Sequence, residues 1–144
     1  LFFIVFYVDS PICASHFDNI ITLNYFHAMH SILAIDDEAV LLNFIQGILE
    51  HSGFSVVTAK DGLEGIKIFD KGKFDLVITD VIMPNADGCA VAAFVREKTG
   101  GSVPVIGISG TPWMLDEKIF DAVLAKPFSI DCLLSRVRSF CSRK

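Results

Sequence analysis

From Ser31 onward, short apolar runs alternate with longer stretches in which apolar residues recur every three or four positions. The short runs are SILAI at 31–35, Ser55 to Ala59, a run through Leu76, Val77 and Ile78 that stops on Asp80, VPVIGIS at 103–109, and Ala122 to Ala125. Leu76, Val77 and Ile78 follow one another without polar alternation, the reading of a central strand covered on both faces. Pro104 is tolerable because it stands at the beginning of its strand. Between the runs, Val40, Leu41, Phe44, Ile45, Ile48 and Leu49 predict an amphipathic helix that ends near Gly53. Asp61 with Glu64 three residues on resembles a capping box, opening a helix whose inner face would carry Leu63, Ile66 and Phe69. Val91, Phe94 and Val95 mark a third helix that stops at Gly100 and Gly101. A short Thr111–Phe120 segment leads into the fifth strand, and Leu133, Leu134, Val137, Phe140 and Cys141 line one face of a last helix, with Ser129 as its cap.

Strands alternating with helices predict an α/β, doubly wound sheet of five parallel strands. Right-handed crossovers favour the order 2-1-3-4-5, a flavodoxin-like arrangement. The sequence contains no internal repeat and no low-complexity tract.

Length and charge narrow the function. The chain of 144 residues is one domain's worth, and its formal net charge is -5. Without a basic stripe, nucleic acid is excluded as the main partner, because phosphate neutralisation needs clustered Lys and Arg. Arg136, Arg138, Arg143 and Lys144 read as a solvated helix end whose charge suits the macrodipole. Cys13, Cys89, Cys132 and Cys141 are widely spaced and read as reduced thiols of a cytoplasmic protein. The opening LFFIVFYV is too short to cross a bilayer, and no Lys or Arg precedes Lys60, so neither membrane insertion nor an export signal is expected. Residues 1–28 are expected to be a hydrophobic extension outside the domain, either upstream translation before a start at Met29 or a strand that pairs elsewhere. Residues 29–144 would form the domain.

Candidate chemistry stands at the strand ends. The first strand runs into Asp36, Asp37 and Glu38, the third ends on Asp80, the fourth on Ser109, and the fifth runs into Lys126. In a parallel sheet these ends share the edge at which ligands bind. Taken singly, each has a plain explanation: first-turn acids complementing a helix dipole, a turn acid before Pro84, a strand-end hydroxyl, a solvated cation. Their succession on consecutive strand ends is what the separate explanations do not account for. Crowded carboxylates repel unless a cation compensates. Mg2+ suits the set, since it takes few carboxylates and completes its shell with water and phosphate oxygen. A carboxylate nucleophile at Asp80, a hydroxyl donor at Ser109, a mobile cation at Lys126 and a metal make a phosphoryl-accepting site.

On the segments ILAIDDE, DLVITDVIMPNADG, VIGISG and LAKPF, residues 31 to about 142 resemble a response-regulator receiver domain of two-component signalling. The resemblance implies that Asp80 is the phosphoacceptor, charged by a histidine kinase or a histidine phosphotransfer protein. It implies Mg2+ held by Asp37, Asp80 and the backbone carbonyl of Ile82, with Asp36 acting directly or through water. It further implies that Lys126 pairs with Asp80 and then with its phosphoryl group, that Ser109 hydrogen-bonds that group, and that the Lys126-Pro127 bond is cis. Such a domain catalyses its own phosphorylation and dephosphorylation and signals by a change of conformation.

Two departures stand out. The family's aromatic three residues before the lysine is Val123 here, and the Ser109–Lys126 interval is short, so the fourth helix is expected to shrink to a turn or two. Within that interval, Trp113 and Met114 are expected to pack over the sheet edge rather than to serve as an exposed partner anchor. The chain is expected to be a stand-alone regulator or a hybrid-kinase receiver. The other readings are an Mg2+-dependent phosphohydrolase with Asp80 as nucleophile, and a pseudo-receiver that binds partners without phosphorylation.

Overall fold

The computed structural model describes residues 29–115 and 118–142. The expectations for residues 1–28, Arg143 and Lys144 lie outside that range, as does the Met114 side chain. The elements are β1 (Ser31–Ile35), α1 (Ala39–His51), β2 (Ser55–Ala59), α2 (Gly62–Lys71), β3 (Leu76–Asp80), α3 (Gly88–Thr99), β4 (Val105–Ser109), a 3-10 turn (Pro112–Met114), β5 (Ala122–Ala125) and α4 (Ile130–Cys141). The strands form one sheet in the order β2-β1-β3-β4-β5, every pair parallel, as the alternation predicts.

Successive strand residues point to opposite faces, and each face carries its own apolar layer. Ile32, Ala34, Ile78, Ile106, Ile108 and Leu124 pack with Leu42, Ile45 and Leu49 of α1 and with Leu133 and Val137 of α4. On the other face, Leu33, Ile35, Val77 and Val105 meet Phe69 of α2 and Val91, Ala92 and Val95 of α3. β3, central and flanked on both sides, is buried along its whole length. Each such aliphatic side chain contributes roughly 1.5–3 kcal/mol on burial, so this core tolerates an electrostatically unfavourable cluster at one rim.

Side-chain caps set the helix starts. The Asp61 carboxylate accepts from Glu64 N at 2.8 Å, and Glu64 reaches back to Lys60 N at 2.8 Å. Ser129 Oγ accepts from Cys132 N at 3.2 Å, and Gly100, in the left-handed conformation, ends α3.

The structure departs from the sequence pattern at four places. In α1 the buried residues are Leu42, Ile45 and Leu49, while Val40 and Phe44 are exposed. In α2 the inward positions are Gly62, Gly65 and Phe69, and Leu63 is exposed, correcting its assignment to the inner face. A Cβ on Gly65 would strike the Ile35 side chain, so glycine is what lets the helix lie close to β1. β4 begins at Val105 rather than Val103, because Pro104 lacks an N–H and contributes only its carbonyl, which accepts from Val77 N at 3.0 Å. Finally, the shortened fourth helix is a single 3-10 turn, and its Trp113 is 78% exposed rather than packed over the sheet.

Candidate functional site

Strand register brings the singled-out residues to one edge. Ile35 pairs with Thr79, Asp80 with Ile108, and Ser109 with Ala125, so the residues at or just beyond these positions converge. Asp36, Asp80 and Ser109 are 1%, 6% and 2% exposed, whereas Asp37 is exposed at the mouth. Lys126 reaches in from beyond β5. Its Nζ lies 2.8 Å from Asp80 Oδ1 and 3.6 Å from Asp36 Oδ2. Its own N–H donates to Ser109 O at 2.8 Å, which ties the start of that side chain to the end of β4. The Lys126-Pro127 peptide is cis, as the resemblance implies.

The loop after β3 is equally constrained. Val81 N donates to Ile108 O at 2.9 Å, and Gly88 N donates to Val81 O at 2.9 Å. Gly88 leaves no room for a side chain: a Cβ there would strike the Asp80 carbonyl oxygen and lie 2.9 Å from Val81 Cα. Asn85 takes the left-handed conformation after Pro84, and Asp87 caps α3 through Ala90 N at 2.8 Å. Ile82 is 71% exposed on this loop, so its side chain contributes nothing to the buried chemistry.

Charge in the pocket is unbalanced. Burial, above all, pushes the Asp36 carboxyl above its ordinary value. The Glu38 N–H and Lys126 pull it down, and the charges of Asp80 and Asp37 push it up again. For Lys126, burial is the largest single influence and lowers the ammonium pKa. The hydrogen bond that the ammonium donates to Asp80 and the charges of Asp36, Asp80 and Glu38 together outweigh it, so the net shift is upward. Lys126 is therefore a fixed cation at neutral pH.

The set fits a hard cation. Asp36 Oδ1 accepts from Glu38 N at 2.8 Å, but among the described residues Asp36 Oδ2 is buried with no hydrogen-bond partner. A buried carboxylate oxygen without a donor is satisfied by a metal ion or its water. Among the described residues, no three acid, histidine or cysteine side chains stand together as a ready metal cage. A cation here would take few protein oxygens and keep several waters, the habit of Mg2+ rather than Ca2+.

Three participants act through their backbone rather than through the side chains that the sequence pattern singles out. Glu38 contributes its backbone N–H to Asp36, and Gly88 supplies the close approach to Asp80. Thr111 N donates to Ser109 Oγ at 3.0 Å, so the Ser109 hydroxyl is tied to the loop that follows β4. Backbone donors carry no residue-type signal. The missing Cβ of Gly88 registers in a hydrophobic pattern only as a neutral position.

The sequence model described as the response regulator receiver domain matches residues 32–138. An uncharacterized transcriptional regulatory protein of Bacillus subtilis, YcbL, is 32% identical over 116 residues, covering 77% of this chain and 50% of that protein. A probable transcriptional regulator of Cyanidium caldarium, ycf27, is 35% identical over 119 residues, with 79% and 47% covered. The chain thus spans about half the length of these curated relatives. Among solved structures, the response regulator TrrA of Thermotoga maritima in complex with Mg2+ and BeF superposes with a TM-score of 0.72 at 30% identity, covering 78% of this chain and 99% of that one.

Proposed function

From the premise that the chain belongs to the response regulator receiver domain family, we propose that Asp80 accepts a phosphoryl group from a phosphohistidine of a histidine kinase or histidine phosphotransfer protein. The observation that carries this reading is the contact of Lys126 Nζ with Asp80 Oδ1 at 2.8 Å beside the buried, incompletely satisfied Asp36. In the step, an Asp80 oxygen bonds to phosphorus as the donor's P–N bond breaks, and the histidine nitrogen leaves with that electron pair. Such transfers depend on positioning and on neutralising charge more than on covalent help from the protein. Lys126 is already placed to neutralise the transferred oxygens. Asp37, Asp80 and the Ile82 carbonyl would hold Mg2+, with Asp36 acting directly or through water, and the ion when bound supplies further charge neutralisation at the phosphoryl oxygens. Ser109 would exchange its contact with Thr111 N for a phosphoryl oxygen, and that exchange would alter the loop after β4.

Ile82 stands two residues after Asp80, where a hydrolase with a D-x-D nucleophile motif carries its second acid, and an exposed isoleucine offers no acid–base group. Retention of Asp80 and Lys126 in contact likewise favours phosphorylation over a purely binding role. Residues 29–144 form the domain in this reading, in a cytoplasmic setting.

Beryllofluoride with Mg2+ mimics a phosphoryl group on a carboxylate. It should raise the melting temperature of this protein by several degrees, as expected for a ligand well above its Kd, and leave Asp80→Asn unmoved. An equal shift in both proteins would place the site elsewhere.

A further inference from the structure

Among the described residues, the crossover between β4 and β5 has one 3-10 turn where the other crossovers have full helices, so fewer packing contacts are available to fix where β5 begins. That start is instead held from α3. Arg96 Nη1 donates to Lys118 O at 2.8 Å, and Nη2 donates to Ile119 O at 3.3 Å. The same guanidinium lies 3.7 Å from Asp121 Oδ2. Asp121 in turn ties the segment to β4: Oδ2 accepts from Val105 N at 2.8 Å, and Asp121 N donates to Val105 O at 2.9 Å. Between them, the Phe120 ring lies over Gly107, where even a Cβ would stand 3.0 Å from the ring.

From this clamp the β5 register runs straight to the chemistry. Gly107 pairs with Val123, Ser109 with Ala125, and the next residue is Lys126. A planar fork that engages two carbonyls and a carboxylate fixes direction as well as distance, which a lysine at the same place would not. We propose that Arg96 is a positioning residue for Lys126, standing in for the missing helix by locking the start of β5 so that the ammonium arrives on Asp80. The effect on phosphoryl acceptance rests on the function proposed above; the placement of Lys126 does not.

The test uses the full chain with Arg96→Ala, Arg96→Lys and a control, Lys98→Ala, which breaks the Lys98–Asp70 pair two residues further along α3 without touching the crossover. The first readout is the rate at which each lysine is acetylated by an amine-reactive ester, resolved by peptide mass spectrometry. Lys126 should react roughly fivefold faster in Arg96→Ala, as for a contact opened locally, with Arg96→Lys in between, the control at the wild-type rate, and Lys60 and Lys71 unchanged. The second readout is phosphoryl uptake from acetyl phosphate. It should fall about tenfold in Arg96→Ala, within the range that a small misplacement costs, and stay at the wild-type value in Lys98→Ala. Unchanged Lys126 reactivity overturns the inference, as does a uniform rise at all lysines, which would mean general loosening. If the wild type takes up no phosphoryl group, the functional reading falls, and Lys126 reactivity still decides the role of Arg96.

Discussion

Lys126 Nζ reaches across the end of β4 to Asp80 Oδ1, 2.8 Å away, and joins the ends of two strands that are not paired with one another. This contact also offsets the repulsion between Asp80 and Asp36. Removing the ammonium while keeping the stem, as in Lys126→Met, leaves two buried carboxylates without their cation. A loss of about 1–2 kcal/mol at pH 7 is expected, between the value of an exposed pair and that of a fully buried one. Urea unfolding measures it, and a stability equal to the wild type would mean that the pair carries no net weight.

Asp36 gives the metal-free protein a characteristic pH dependence. Its folded pKa lies above the ordinary 3.8, so the folded protein holds this proton more tightly than the unfolded chain does. The favourable contribution is complete below 3.8 and is lost as pH rises through the folded value. Asp36→Asn cannot titrate and escapes that loss. In chelator, the stability of the variant minus that of the wild type should therefore climb with pH from 3.8 upward and then level off, by about 1.4 kcal/mol for each unit that the fold raises the pKa. A flat difference across that window would contradict the buried-acid reading. Lys126, also raised, keeps its contribution until pH passes above 10.5.

Two glycines should respond differently to alanine. At Gly88 the added methyl meets the backbone of Asp80 and Val81, which has nowhere to go. At Gly107 it meets the Phe120 ring at 3.0–3.1 Å, and a side chain gives way by a few tenths of an ångström. Gly88→Ala is expected to cost about 2–3 kcal/mol and Gly107→Ala about 1 kcal/mol, the two ends of the usual overpacking range. Thermal unfolding of both variants checks the order, and the reverse order would show that the β3–α3 loop is more yielding than its hydrogen bonds imply.

The strand ends were legible in the sequence because each is a polar residue at or just beyond the end of an apolar run, and parallel topology sends all such ends to one edge. The helix faces were less so. In α1 apolar residues occupy almost every side, so periodicity alone could not choose Leu42 over Phe44. In α2 the closest approach is made by Gly62 and Gly65, which register as neutral in any hydrophobic pattern. Trp113 follows the same logic in reverse: a large ring predicts burial, yet on a single 3-10 turn it stands 78% exposed. The sequence pattern assigns Arg96 no role, because bonds to carbonyls far along the chain leave no trace in local sequence.

Mg2+ should stabilise the folded protein by linkage, by about 2.7 kcal/mol at a hundred times its Kd. Asp37 is exposed, so Asp37→Ala should leave the metal-free stability within about 0.5 kcal/mol of the wild type and still shrink the Mg2+-dependent gain. Titration of the melting temperature with MgCl2 reads both. Equal gains in the two proteins would remove Asp37 from the metal shell.

Intact-mass spectrometry after incubation with Mg2+ and acetyl phosphate decides whether Asp80 is a phosphoacceptor. The expected result is one added phosphoryl group, labile to base, carried by the wild type and absent from Asp80→Asn. An adduct of the same mass on both proteins would contradict the assignment of Asp80, and a wild type that gains no phosphoryl group and turns over no donor would contradict phosphorylation itself.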